Sequence, residues 1–214
     1  MSDLATMLAR IADELGDTSH LTTQIRRAVL DAIDRYAPDR FWFNESRAVT
    51  FTTVASTQDY TALTGDVSHI RDVYDIDYVT ITIGNNVNTL DYIEPLHYEL
   101  DANDASWMGQ PHSYTLYDNK FRLLPVPNDA WTVRIVGHVK RAAPAADDET
   151  DNVWMVEAER LIRARAKYNL ALDVLMDNNL AQVMAAATTE AFDQLKGRTN
   201  VYVGTGMIAS SECF

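Results

Sequence analysis

Hydrophobic residues recur at helical spacing at the two ends of this chain and alternate with polar ones in between. Leu4, Met7, Leu8, Ile11 and Leu15 step by three and four, which predicts an amphipathic helix started by Ser2 or Asp3 and ended at Gly16. Leu21, Ile25, Val29, Ile33 and Tyr36 predict a second helix, with Thr18 or Ser19 as its cap and Pro38 beyond its end. The short link between them predicts a helical hairpin.

From Arg47 the period falls to two. Val49 and Phe51 alternate with Thr50 and Thr52, and Tyr60 and Leu63 precede a turn at Gly65-Asp66. The run Ile70–Ile83 contains two phases of alternation, which predicts a bulge or break near Tyr78. Gly84-Asn85-Asn86 is a turn signal, and Val87–Ile93 can return as the partner strand. After a short helical segment opened by Pro95, the pattern predicts a hairpin of Ser113–Tyr117 and Lys120–Leu124 around Asp118-Asn119. A Pro-bracketed turn and a last strand, Trp131–Val139, follow.

Helical spacing then resumes. Trp154, Ala158, Leu161, Ile162, Arg165, Tyr168, Leu172, Leu175 and Met176 form one long stripe, capped by Thr150 or Asp151 and broken at Asn178-Asn179. A second helix is expected from Leu180 to Lys196, with Gly197 as its stop. The expected fold class is α+β: a helical bundle, made of the N-terminal hairpin plus the C-terminal long helices, with an inserted antiparallel β-sandwich or barrel-like module. The expected division is a discontinuous helical domain of 1–46 and 150–197, a β module of 47–141, an acidic linker of 142–152 and an extended C-terminal arm of 198–214. Phe41, Trp42 and Phe43 stand where helical period gives way to strand period, and rings that bury roughly 150–250 Å² each mark a hydrophobic corner.

At 214 residues, 47% hydrophobic and 23% charged, the chain is ordinary for one large or two small globular domains. No apolar run approaches the ~20 residues of a membrane span, and the N-terminal stretch lacks the pattern of a secretory signal. A lone cysteine, Cys213, rules out an intramolecular disulfide within the sequence. The formal charge of −13 makes general nucleic-acid binding unfavourable, because phosphate binding relies on clustered Lys and Arg.

Candidate chemistry is sparse. The chain contains no P-loop, GxGxxG, GxSxG or HExxH pattern. His97, Glu99, Asp101 and Asp104 are the densest set of possible metal ligands, but their spacing follows neither a zinc motif nor a calcium loop, so a solvated acidic loop is expected and no metal or other cofactor. Arg160, Arg163 and Lys167 share a helix face, which reads as a solvated face or as one meeting an acidic neighbouring subunit. The tail 198–214 carries a β-like patch of Val201, Tyr202 and Val203, then Met207, Ile208 and Phe214, and suits an arm that adds to another subunit. The residues alone favour a structural or assembly role over catalysis, with a hydrolase using the His97–Asp104 region as the enzymatic alternative.

The order of features resembles the head-to-tail adaptor (connector or neck) proteins of tailed bacteriophages. The resemblance is carried by the hairpin ending in Tyr36, RFWFNE at 40–45, TFTTV at 50–54 and QDY at 58–60. It continues through PLHYELD at 95–101, the G-x-P-x-x-Y-x-L pattern from Gly109 to Leu116, LLPVP at 123–127, and the Trp154 helix after the acidic linker. The chain departs from the family pattern at Ala62-Leu63-Thr64, where Leu-Pro is usual.

The resemblance implies a non-enzymatic virion protein, made in the host bacterial cytoplasm. Twelve copies would ring the underside of the portal protein and lead to a tail, nozzle or tail-completion protein. DNA would pass through the lumen without specific binding, repelled by on the order of −150 charges from twelve such chains. It also implies that the 198–214 arm binds the portal or a neighbouring subunit. A tail-completion or baseplate protein is the structural alternative.

Overall fold

The computed structural model describes residues 3–16, 19–102 and 107–203, and they divide into two units. One comprises 1–43 with 142–214; the other is 44–141. The fold is α+β.

In the first unit, α1 (Leu4–Glu14) begins with the Asp3 carboxylate accepting from the Thr6 N–H at 2.7 Å, and Gly16 lies beyond its end at φ +86°. Helix α2 (Thr22–Tyr36) follows a single 3-10 turn, Ser19–Leu21, so its N-cap is Leu21 and not Thr18 or Ser19. Leu4, Met7, Ile11, Ile25, Val29 and Ile33 are all buried in one cluster. The stripe expected from Trp154 to Met176 is two helices. A short one (Val153–Val156) is capped by Asn152, not by Thr150 or Asp151, and the longer one (Glu159–Asp173) carries Leu161, Ile162 and Leu170 into the same cluster.

The break expected at Asn178-Asn179 falls earlier, over residues 174–177. There Met176 adopts φ +53°, and the Asp177 carboxylate accepts from the N–H groups of Asn179 and Leu180, both at 3.0 Å. The last helix then runs unbroken over Asn178–Val203. Gly197 does not stop it, and the β-like patch at 201–203 is its final turn. A glycine of the usual helix stop is itself left-handed; Gly197 is not, and Leu195 and Thr199 on either side of it are buried. Numbered in chain order after α2, these three helices are α4, α5 and α6, since α3 lies in the second unit.

The second unit is a curled, barrel-like sheet of seven strands. The strands are β1 (Glu45–Thr52), β2 (Asp59–Tyr60), β3 (Val73–Ile83), β4 (Asn86–Tyr92), β6 (Ser113–Tyr117), β7 (Lys120–Leu124) and β9 (Thr132–Val139). Their order is β1-β9-β3-β4-β6-β7-β2, and two short strands, β5 (Met108–Gly109) and β8 (Val126–Pro127), pair separately. The phase change in the third strand is real: the β3–β9 register shifts between Val73 and Asp75 and again between Ile76 and Tyr78. Gly137 sits opposite, where a Cβ would fall 2.1 Å from the Asp75 carbonyl oxygen. The hairpin turn Asp118-Asn119 has φ +54° at both residues, the geometry that matches the twist of the flanking strands.

The sheet is not wholly antiparallel. β4 pairs with β6 in parallel, as does β5 with β8. Parallel neighbours need a crossover connection, and α3 (Pro95–Asp101) lies in the crossover from β4 to β6. Its buried Tyr98 donates a hydrogen bond to the Leu123 carbonyl of β7 at 3.2 Å, which ties the crossover to the sheet.

Two of the motifs quoted above have plain structural roles. Tyr60, of the QDY element, accepts from the Val54 N–H at 3.1 Å and donates to the Thr57 carbonyl at 2.8 Å, closing the loop that follows TFTTV. Thr64, where the family pattern differs, exchanges backbone hydrogen bonds with Thr50 at 2.8 and 2.9 Å, so its N–H is used in pairing.

Candidate interaction surface

The surface is built on the C-terminal turns of α6. Ala181, Thr188, Ala191, Leu195 and Thr199 are its buried positions, spaced by three, four and seven, so one helical face is packed along its length. The Thr199 hydroxyl donates to the Leu195 carbonyl at 2.9 Å and accepts from the Trp42 N–H at 3.4 Å. Lys196 donates to the Arg40 carbonyl at 2.9 Å, and its ammonium lies 4.9 Å from the centroid of the Phe41 ring. The segment 40–42 is thereby fastened to the far end of the chain.

The three rings at 41–43 are divided. Phe41 and Phe43 are buried and stack at 5.3 Å, each meeting Trp154 edge-on. Trp42 is only half-buried and lies 4.9 Å from the ring of Tyr202. Its indole Nε1 is buried with no hydrogen-bond partner among the described residues. Tyr202 is still 65% exposed despite this ring contact, and its neighbour Val201 is 80% exposed. Exposed apolar side chains on a held helix end suit burial by another surface. Sequence reasoning finds Val201 and Tyr202 by their hydrophobicity but misses Trp42, which the aromatic triplet hides, and Thr199, whose only signal is its position four residues after Leu195.

The remaining candidates fall elsewhere. Val203 is the last described residue of α6; Met207, Ile208, Phe214 and Cys213 lie outside the described residues. Arg160 bonds Glu190 at 2.8 Å and Gln194 at 2.7 Å on α6, while Arg163 and Lys167 grip Glu14 of α1 at 3.1 and 2.7 Å. The basic face is therefore a clasp between helices of the same chain.

His97 lies 3.9 Å from Glu94 with both exposed, and Glu99 pairs with Arg122 at 2.7 Å. Asp104 lies outside the described residues, among which no three His, Cys, Asp or Glu side chains gather as a metal site would require. None of the described helices is long and apolar enough to cross a membrane.

Comparison with known protein families gives a match to the family model described as SU10 adaptor protein, over residues 2–208. No curated protein matches the chain. The matched range takes in both structural units and reaches past the exposed end of α6. The chain belongs to the SU10 adaptor protein family, a family of bacteriophage structural adaptors.

Proposed function

We propose that the protein is a head-to-tail adaptor that rings the underside of the portal, joins the capsid to the tail and continues the DNA channel in the neck of the virion. The observation that carries this reading is the adaptor-family match across residues 2–208. An adaptor has two kinds of partner, here the portal protein on one side and a tail or tail-completion protein on the other. A ring of twelve copies repeats one heterologous contact until it closes. The charge of −13 per chain keeps like-charged DNA from adhering as it passes.

The end of α6 and the residues after it form the portal-binding or neighbour-binding arm, with Val201, Tyr202, Val203, Met207, Ile208 and Phe214 as its apolar contacts. The exposure of Val201 and Tyr202 on an otherwise fastened helix supports this assignment. Arg160, Arg163 and Lys167 can still face a neighbouring subunit, though each also pairs within the chain.

The test is the mass of the full-length protein by native mass spectrometry, with and without portal protein. A complex of twelve copies formed on, or captured by, the portal is the expected result. No complex at any salt concentration would move the protein to a more distal tail position. For the arm, the V201D/Y202D double variant should lose portal capture at least tenfold while keeping its circular dichroism; undiminished capture would remove α6 from the interface.

A further inference from the structure

In the first unit a cleft opens between α2, α5 and α6, lined by Arg35, Tyr36, Asp39, Arg165, Tyr168 and Phe192 among others. Its two cations differ from the ion-paired arginines of this acidic chain. Arg10, Arg26, Arg122, Arg141, Arg160 and Arg163 each meet a carboxylate. Arg35 and Arg165 instead lie against rings, 5.9 Å from the centroid of Tyr36 and 4.8 Å from that of Tyr168, and neither has a carboxylate partner among the described residues.

The Nε of Arg165 is buried with no acceptor among the described residues, which is a standing cost for a guanidinium N–H. The same guanidinium also meets the Tyr36 phenol, a neutral partner. Asp39 is engaged elsewhere: it lies 3.8 Å from Lys196. Thr188 donates its hydroxyl to the Met184 carbonyl at 2.7 Å, so it offers only lone pairs to a ligand. The cationic donors of the cleft are thus the two guanidinium groups, whose fork geometry matches carboxylates.

Elsewhere on the same unit the loop 145–151, AADDETD, has a complementary surplus. Asp147 pairs with Arg26, and Glu149 accepts from the Ala145 N–H and from Asn152. Asp148 and Asp151 are exposed and have no cationic partner among the described residues. Asp151 adopts φ +68°, a conformation that L-residues favour little. Asp147 is fastened to the N-terminal half of α2 and to the Ala5 N–H of α1, whereas Arg35 lies in the last turn of α2. Loop and cleft are two different faces of one unit, as a heterologous contact requires.

We propose that the Arg35–Arg165 cleft is a carboxylate-recognition site, and that its occupant is the 145–151 loop of a second copy of this chain, with Asp148 and Asp151 meeting the two guanidinium groups. The contact rests on the ring reading above and supplies it with a lock between neighbouring subunits. The same pairing makes assembly sensitive to salt, since it joins charges near a surface.

Two experiments separate this contact from the ring itself. A synthetic peptide of residues 143–152 is titrated into the full-length protein and followed by the arginine side-chain NMR signals. Saturable shifts at Arg35 and Arg165, absent for the same peptide carrying D148N and D151N, are expected. No shift at millimolar peptide, or equal shifts with the substituted peptide, would overturn the site whatever the state of the ring.

The second experiment uses full-length protein assembled with portal. R35E/R165E and D148R/D151R should each lose at least tenfold in assembled complex, and the four changes together should restore it, with circular dichroism confirming that each variant is folded. Wild-type-like assembly of R35E/R165E, or failure of the combined variant to recover assembly, would overturn the lock while leaving the ring reading intact. Absence of assembly by the wild-type chain would strike the ring reading, and the peptide result alone would then decide the site.

Discussion

The indole of Trp154 stands edge-on to the ring of Phe43, with centroids 5.3 Å apart and planes at 85°. Phe41 meets the same indole edge-on at 6.3 Å. Trp154 is wholly buried at the start of the short helix α4, where the backbone N–H of Trp154 itself is capped by Asn152. One side chain therefore joins the residues just before the β unit to the first helix after it. Trp154→Ala should cost about 3–5 kcal/mol, as expected for truncating a buried tryptophan, and chemical denaturation measures it. Trp154→Phe should cost less than half as much. A loss under about 1 kcal/mol for the alanine variant, the scale of an ordinary surface change, would show that the three rings do not act as one cluster.

Tyr98 supplies a pH test. Its phenol is buried, and burial pushes its ionisation up to about 12, against the opposing charge of Arg122. The sign follows from a folded value above the ordinary 10. The stability from the neutral phenol is complete below pH 10 and is lost as pH rises through about 12. Tyr98→Phe removes the hydrogen bond to Leu123 and should cost about 1 kcal/mol at neutral pH. The difference from wild type should shrink between pH 10 and about 12, which denaturation series across that range will show. A constant difference across the whole range would mean that burial does not raise the ionisation of the phenol above its unfolded value.

The α+β class and the adaptor resemblance were legible because they rest on long-range pattern. Period 3.6 at both ends and period 2 between them survive any local surprise, and the bulge near Tyr78 announced itself as a slipped phase. Features decided by tertiary contact were not legible. Nothing in Val87–Ile93 or Ser113–Tyr117 distinguishes a parallel from an antiparallel pair; the crossover through α3 decides it. FWF reads as a single aromatic block, yet Phe41 and Phe43 go to the core while Trp42 goes to Tyr202 on α6. The intrachain partners of Arg160, Arg163 and Lys167 were likewise not legible, because Glu14 and Glu190 lie far away in sequence.

Glu14 makes the electrostatic clasp testable. It accepts from Arg163 at 3.1 Å and from Lys167 at 2.7 Å, with Glu14 about one-third exposed. Partly exposed pairs contribute about 0.2–1 kcal/mol each, so Glu14→Gln should lose about 1 kcal/mol at low salt. In about 1 M NaCl the screening length falls to about 3 Å, and the loss should largely vanish. Thermal unfolding of both proteins at the two salt concentrations checks this. An unchanged loss in high salt would assign the effect to packing of the Glu14 side chain instead.

Gly197 separates the two accounts of where α6 ends. A helix stop of the usual kind would hold this glycine in the left-handed region, where an alanine is strained. In the structure it is a helix-interior residue, and a Cβ placed on it meets nothing within 4 Å. A glycine inside a helix costs roughly 0.5–1 kcal/mol relative to alanine, because it has more backbone freedom to lose. Gly197→Ala should therefore raise stability by about that amount, which for a chain of this size is about 1–4 °C in Tm. Gly137→Ala is the opposing control: its Cβ would fall 2.1 Å from the Asp75 carbonyl oxygen, so β3 or β9 must shift and stability must drop. If Gly197→Ala destabilised the protein as well, α6 would end at Lys196, and Val201 and Tyr202 would belong to a separate segment free of the Trp42 contact.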